Sequence, residues 1–361
     1  MIDETSMTWF RLRERRASLL TRSELPDNRP RQQTFAAAMA QFEEQMAAAK
    51  IVSPATRPLN LYYGLAQAGM AIASAHAPGQ WSFSRHGLKL VDTSPDLAEI
   101  QVRPDGDGGF RRVAATTGSP EITEPVYIGN LWSSLPDLID YATLSGIAKP
   151  EALYVVPDLR SPMFTSGGGL PSQTSYHEPV AVRIRAKVAV ADSSGLESWI
   201  RELLKHYPAL RDWKIDGSEW PIHNVCAGDV ISLRMWLPGS VADRSIPTSE
   251  MSAIIDEVAP EYRYRTDRYV RPSVEGGGKL PPSPLMTWWL LLYSFSILAR
   301  YQPRKWTQLL DLDKPGCAAS LQFCLEVALS VIPHLVLEAL DREPFFLPKP
   351  NVPMTWPNTL I

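Results

Sequence analysis

Residues 31 to 50 (RQQTFAAAMAQFEEQMAAAK) place Phe35, Met39, Phe42 and Met46 at spacings of four, three and four among strong helix formers. That pattern predicts an amphipathic helix. Ser53-Pro54 and Arg57-Pro58 interrupt the chain, and Pro58 suits the first turn of a second helix running to about Ala75. Its apolar stripe reads as Leu59, Tyr62, Tyr63, Ala66, Met70 and Ala73. Gly64, Ala66, Ala68, Gly69 and Ala71 make this helix thin, so that a neighbouring helix can approach it closely, and Pro78-Gly79 ends it.

From Trp81 to about Leu280 short segments punctuated by Gly and Pro replace the helical spacing, and the texture is β-rich. Gln101-Val102-Arg103 and Phe110 to Ala114 flank Pro104-Asp105-Gly106-Asp107-Gly108-Gly109 and read as a hairpin. Leu131 to Ile147 reads as a short helix. Val180 to Val190 is the cleanest strand, with Val182, Ile184, Ala186 and Val188 alternating with Arg183, Arg185 and Lys187. Val230 to Leu237 is another. Between them Ser194 to Tyr207 carries Leu196, Trp199, Ile200, Leu203 and Leu204 on one helical face, with Pro208 as terminator. Glu261 to Arg271 (EYRYRTDRYVR) reads as a single strand of alternating Tyr and Arg.

Pro281-Pro282 reopens helical texture. Pro284 to Tyr301 predicts one helix and Cys317 to Asp341 another, with Pro333 expected to kink or break the latter. The longest apolar run, Leu285 to Ala299, is 15 residues and contains Thr287, Ser294 and Ser296. A span of hydrocarbon takes about 20 apolar residues, so the run predicts a buried core helix and no membrane span. The expected fold class is α+β: a helical bundle from the N- and C-terminal segments, with a β-rich middle region. The boundaries read as 1–80, 81–280, 281–342 and a Pro-rich tail over 343–361.

Composition narrows the picture. At 361 residues, 45% hydrophobic and 21% charged, the chain fits a globular protein of more than one small domain. The net charge of −3 offers no global attraction to polyanions, so any nucleic-acid surface must be local. Among the cations 26 are Arg and 10 Lys, a bias toward the side chain that binds phosphate bidentately and stacks on rings. Cys226, Cys317 and Cys324 form no C-x-x-C pair, and residues 1 to 16 hold four arginines and no apolar core of a signal peptide. Both point to a reduced cytoplasm.

Familiar catalytic signatures are missing: no H-E-x-x-H, G-x-S-x-G or G-x-x-x-x-G-K-[ST] occurs. Gly276-Gly277-Gly278-Lys279 and Gly167-Gly168-Gly169 read as loops, the second as a candidate lid. The six histidines are scattered singly, so neither a metal site nor a cofactor is expected. Two pairs merit chemical attention as catalytic candidates. Arg85-His86, followed by Gly87, can present donors to a phosphate. Arg201 and His206 sit on a predicted helix in the Arg-x4-His spacing, and combine a fixed cation with a proton acceptor of near-neutral pKa. The bland alternatives are a surface turn and a solvated helix face.

Tyr262, Arg263, Tyr264, Arg265, Arg268, Tyr269 and Arg271 interleave cations with aromatics, as single-strand nucleic-acid platforms do. Arg183, Arg185 and Lys187 supply a second cationic row. If the two strands were neighbours, they would form a phosphate-tracking groove; the bland alternative is an edge strand protected by charge.

The segment Arg57-Pro58-Leu59-Asn60-Leu61-Tyr62-Tyr63-Gly64-Leu65 with His86-Gly87-Leu88, and the block Leu291-Leu292-Tyr293-Ser294-Phe295-Ser296 with Ala299-Arg300-Tyr301-Gln302-Pro303 and Trp306, resemble the bacterial YaaC-like protein family. The resemblance implies a cytoplasmic protein and no particular reaction. More distantly, the Tyr-Tyr helix followed by His-Gly is similar to HEPN-like helical domains, which include metal-independent ribonucleases with a cooperating Arg and His. Arg300 lies in a suitable helix but has no histidine four to six residues on. Two functions follow as expectations. The first is a non-catalytic subunit, sensor or scaffold, of a bacterial system such as antiphage defence, with the tail or Trp- and Tyr-rich surfaces docking protein partners. The second is a HEPN-like ribonuclease or RNA-binding protein. Homo-oligomerisation stays open.

Overall fold

The reciprocal pairing of two helices organises the first core. In a computed structural model that describes residues 4–18, 29–79, 85–91, 94–139, 144, 149–157, 181–187, 195–215, 230–236, 263–264, 267–275, 278–314 and 316–342, α2 (Arg29–Ile51) packs along α3 (Arg57–His76). The predicted stripe of α2 is buried as spaced: Phe35, Met39, Phe42 and Met46 all face the core. Each helix also caps its partner's C-terminal end. Buried Arg31 of α2 donates to the carbonyls of Ser74 (2.5 Å), Ala73 (3.1 Å) and Ala77 at the end of α3. Arg57 of α3 donates to Ala49 (2.9 Å) and Val52 (3.2 Å) at the end of α2, and pairs with Glu326. Guanidinium groups thereby bond carbonyls at the negative ends of the helix dipoles, where intrahelical donors run out; the Ala73 carbonyl also accepts from the Ala77 N–H at 2.9 Å.

The stripe of α3 differs from its prediction. Leu61, Leu65, Ala68 and Ile72 are buried, whereas Tyr63 is 37% exposed and Leu59, Ala66 and Met70 are half-buried. The reason is that α3 is covered from several sides, by α2, α4 (Gly109–Thr116), α7 (Pro284–Tyr301) and α9 (Ala318–Asp341), so its buried residues do not fall on one face. α7 is the apolar run expected in the core, and Leu285 through Ser296 are buried throughout. α1 (Glu4–Ser18) adds Trp9 and Leu12 and is tied down by Arg13–Glu43 and Arg15–Asp341 ion pairs. α9 runs through Pro333 as one helix, so of the expected kink or break the break does not occur. It is long and apolar enough to cross a membrane, and 61% of its apolar window is buried within the molecule.

Residues 88–138 join this same core. Strands β1 (Leu88–Val91), β2 (Gln101–Pro104) and β3 (Val126–Tyr127) form an antiparallel sheet in that order, followed by the short α5 (Ile128–Ser133). The expected hairpin of 101–103 with 110–114 is corrected: β2 pairs with β1 and β3, and Phe110–Ala114 is helical, burying Phe110, Val113 and Ala114 on one face of α4. Helical rather than strand periodicity decides this segment.

A second core lies under a six-stranded antiparallel sheet, β4 (Leu153–Pro157), β5 (Ala181–Lys187), β6 (Lys214–Ile215), β7 (Val230–Trp236), β8 (Arg263–Tyr264) and β9 (Asp267–Val270), ordered β6-β7-β5-β4-β9-β8. Helix α6 (Leu196–Leu204) packs on it through Leu196 and Ile200. The predicted strands at 180–190 and 230–237 are found, and the architecture is α+β with helical terminal segments. Glu261–Arg271 is not one strand: β8 and β9 pair with each other, Arg263 opposite Arg268 and Tyr264 opposite Asp267, so the chain doubles back between Tyr264 and Asp267. The Gly167–Gly169 loop and the 343–361 tail lie outside the described residues.

Candidate functional site

Glycine lets α3 and α7 come together. A Cβ on Gly69 would lie 2.3 Å from Cη2 of Trp289, so only glycine leaves room for that indole. Tyr293 follows Trp289 by four residues and Arg300 follows Tyr293 by seven, which puts all three on one face of α7. That face meets Tyr62 and Tyr63 of α3.

A third segment is laid over this junction by its backbone. The carbonyls of Arg85 and His86 accept from the N–H groups of Gly109 (3.0 Å) and Phe110 (3.1 Å) in the first turn of α4, and the Asp105 N–H donates to the Gly87 carbonyl at 2.9 Å. Gly87 has φ +76°, in the left-handed region that favours glycine, and a Cβ on Gly108 would lie 2.5 Å from the Gly87 nitrogen. Two glycines thus permit a backbone-on-backbone contact that fixes His86.

The result is a ring cluster. The Tyr62 ring centroid is 5.4 Å from His86, 5.5 Å from Tyr293 and 5.8 Å from Tyr63, and His86 is 6.4 Å from Tyr293. The Tyr293 hydroxyl donates to the Leu88 carbonyl at 2.7 Å, tying α7 to β1. Arg300 donates through Nη1 to the Tyr63 hydroxyl at 2.5 Å, and its guanidinium carbon stands 5.8 Å from the Tyr63 ring and 4.8 Å from the Tyr301 ring. Among the described residues Arg300 makes no ion pair, and its Nε is buried without a hydrogen-bond partner. The same holds for the Tyr62 hydroxyl and Trp289 Nε1, which influence each other without a hydrogen bond of ordinary geometry.

These surroundings set the protonation states. His86, although exposed as a residue, has its pKa lowered, first by desolvation against the rings and second by the Arg300 charge. Burial and the neighbouring Tyr293 push the Tyr62 phenol well above its ordinary value. Burial also raises Tyr293, with Arg300 opposing and Asp105 adding to the rise. At neutral pH the cluster therefore offers a neutral imidazole able to accept a proton, in electrostatic reach of an arginine that makes no ion pair among the described residues.

Of the residues singled out from sequence, His86 is in this cluster, whereas the side chain of exposed Arg85 runs toward Gly106, with Nη1 4.0 Å from where a Gly106 Cβ would stand. Arg201 and His206 are elsewhere, on the second core. α6 ends at Leu204, short of His206, so the two do not share a helix; Arg201 pairs with Glu197 at 2.6 Å, and the His206 carbonyl accepts from the Ser273 N–H. Arg300, Tyr63 and Tyr301 complete the cluster. Their signal in the sequence was the Trp289, Tyr293, Arg300 spacing on one helical face.

The condition for a basic groove, that the two cationic strands be neighbours, is not met. β4 separates β5, which carries Arg183, Arg185 and Lys187, from β9. Arg271 is buried, because its guanidinium bonds the Ser134 carbonyl (2.8 Å), the Pro282 carbonyl (2.5 Å) and the Thr287 hydroxyl (2.6 Å), joining the end of β9 to the first core. The Tyr269 ring packs 5.2 Å from Tyr154 on β4. Arg268 is half-buried, the backbones of Arg263 and Tyr264 form the sheet edge, and Tyr262 and Arg265 lie outside the described residues.

Two further features lie apart from the cluster. A shallow open groove between Ser53–Ala55 and α8 (Pro303–Leu309) is lined by Arg304, Asp311 and Lys314 among others, with no histidine or aromatic ring. Among the described residues no three His, Cys, Asp or Glu side chains converge as metal ligands, and Cys317 and Cys324 are free and buried.

No curated protein and no solved structure matches the chain. The family model described as YaaC-like Protein matches residues 11–340 and so takes in α3, the His86 segment and α7 alike. With nearly its whole length matched, the chain belongs to the YaaC-like protein family.

Proposed function

We propose that the α3–α7 junction is a phosphate-ester site and that its ligand is RNA, with Arg300 binding the phosphate and His86 accepting a proton. The observation that carries this reading is the placement of Arg300, without an ion pair among the described residues, and a neutral His86 on the same tyrosine cluster. RNA uses both groups, because its 2′-hydroxyl lies next to a phosphodiester. His86 takes the 2′-hydroxyl proton, the 2′-oxygen bonds to phosphorus, and the bond to the 5′-oxygen breaks. The products are a 2′,3′-cyclic phosphate and a 5′-hydroxyl protonated by solvent. Arg300 stabilises the charge that builds on the phosphoryl oxygens. No metal enters this route, and the two free cysteines suit a cytoplasmic setting.

The test is cleavage of single-stranded RNA in EDTA. Cyclic-phosphate ends that vanish in His86→Ala and Arg300→Ala, and persist in Arg201→Ala and His206→Ala, support the reading. Activity that survives the first two substitutions refutes it.

A second reading, a non-catalytic subunit that docks a protein partner, is supported by the exposed Tyr63 and Tyr301 beside Arg300, since Tyr and Arg dominate interface hot spots. It predicts a stoichiometric protein partner that Arg300→Ala and Tyr301→Ala release, with no RNA cleavage.

A further inference from the structure

Three aromatic side chains among the described residues are substantially exposed: Phe10 (53%), Tyr63 (37%) and Tyr301 (69%). Two of the three flank Arg300. Tyr63 is held in place by the hydrogen bond from Arg300, and Tyr301 is the last residue of α7 with the guanidinium 4.8 Å from its ring centroid. Both rings keep solvent-facing area, and among the described residues Arg300 makes no ion pair.

We infer that the Tyr63–Arg300–Tyr301 edge is a stacking platform for an unpaired nucleobase, so that the site takes single-stranded rather than duplex RNA. The inference deepens, and rests on, the phosphate-ester reading above. A phosphate alone would need the cation and not the rings. A paired base has its faces covered by its neighbours in the helix, whereas an unpaired base offers a π-face to a phenol or a guanidinium plane. Stacking of this kind is worth about 1–3 kcal/mol per base and tolerates any base, which matches an edge built of rings and one cation rather than of side-chain amides. Tyr301, the more exposed ring, is the position that sets this preference.

The experiment is a binding titration of the full chain at low salt with a labelled single-stranded oligoribonucleotide, the same strand in a duplex, and inorganic polyphosphate. Uridine monophosphate serves as competitor. Tyr301→Ala is expected to weaken the single strand by about tenfold, to leave polyphosphate binding unchanged, and to be rescued by Tyr301→Phe. Equal loss for both anions, no loss for either, or duplex bound as tightly as single strand would overturn the stacking platform while leaving the phosphate-ester reading intact. Competition by uridine monophosphate as effective as that by the oligonucleotide would overturn the assignment to RNA in favour of a free nucleotide. Failure of the wild-type chain to bind any of the anions would remove the phosphate-ester reading and the platform with it.

Discussion

The Arg300 guanidinium meets the Tyr63 hydroxyl at 2.5 Å across 237 residues of sequence. That contact joins the helix carrying Tyr62 and Tyr63 to the helix carrying Trp289 and Tyr293, at the point where His86 is laid over both. Neither partner is buried in the core, so the contact orders a surface rather than filling an interior.

The charge on Arg300 reaches His86. Desolvation is the larger cause of the lowered His86 pKa and Arg300 the smaller. In Arg300→Gln the pKa should therefore rise part of the way toward the ordinary histidine value of about 6.5, as read by NMR titration of the imidazole. In the wild type, folding is disfavoured by His86 protonation, so this group adds no penalty above the ordinary histidine pKa and costs stability as pH falls below it. The proton-accepting form likewise persists to lower pH than in an unperturbed histidine, so the acid limb of an RNA-cleavage profile should fall at a pH below that ordinary value.

Gly108 governs the placement of His86 without touching a ligand. A Cβ there would lie 2.5 Å from the Gly87 nitrogen and 2.7 Å from the Arg85 carbonyl oxygen, and backbone atoms cannot rotate away. Gly108→Ala should leave the helical core folded, move the His86 imidazole resonances, and reduce RNA cleavage. An unchanged histidine spectrum would show that the 85–87 segment is held by other means.

Gly69→Ala tests the helix junction itself. The added methyl would meet Trp289 carbons at 2.3 and 2.4 Å and Val113 Cγ2 at 3.0 Å, and overpacking of this kind costs about 1–3 kcal/mol. Urea denaturation should show a lowered midpoint with an unchanged slope.

The reciprocal caps make a separate prediction. Arg31→Met removes charged donors from the carbonyls at the end of α3, and Arg57→Met does the same for α2. Each should cost about 1.5–3 kcal/mol, the range for hydrogen bonds to charged groups, while leaving the His86 titration unchanged because neither side chain faces the cluster.

Much of the fold was legible in periodicity. Phe35, Met39, Phe42 and Met46 face the core as spaced, the thin face of α3 receives Trp289 at Gly69, and the alternation at 181–187 and 230–236 gives two paired central strands. Where a segment touches several neighbours the pattern failed, as on α3, whose stripe dissolves under four helices and leaves Tyr63 at the surface. The Tyr/Arg segment misled for another reason: alternation reports a strand's faces but not its neighbours, and β4 intervenes between the two cationic rows. Local spacing also favoured Arg201 with His206, five residues apart. The cluster in the structure instead brings His86 to Arg300, a pairing set by tertiary contacts that no local motif encodes.

The most direct test of the central claim, that His86 and Arg300 act on one phosphate ester, is NMR of the histidine-labelled chain titrated with a short single-stranded oligoribonucleotide in EDTA. The His86 resonances should move with the added strand while those of His206 stay fixed, and Arg300→Gln should abolish the movement. A shift confined to His206, or a His86 shift that persists undiminished without Arg300, would contradict it.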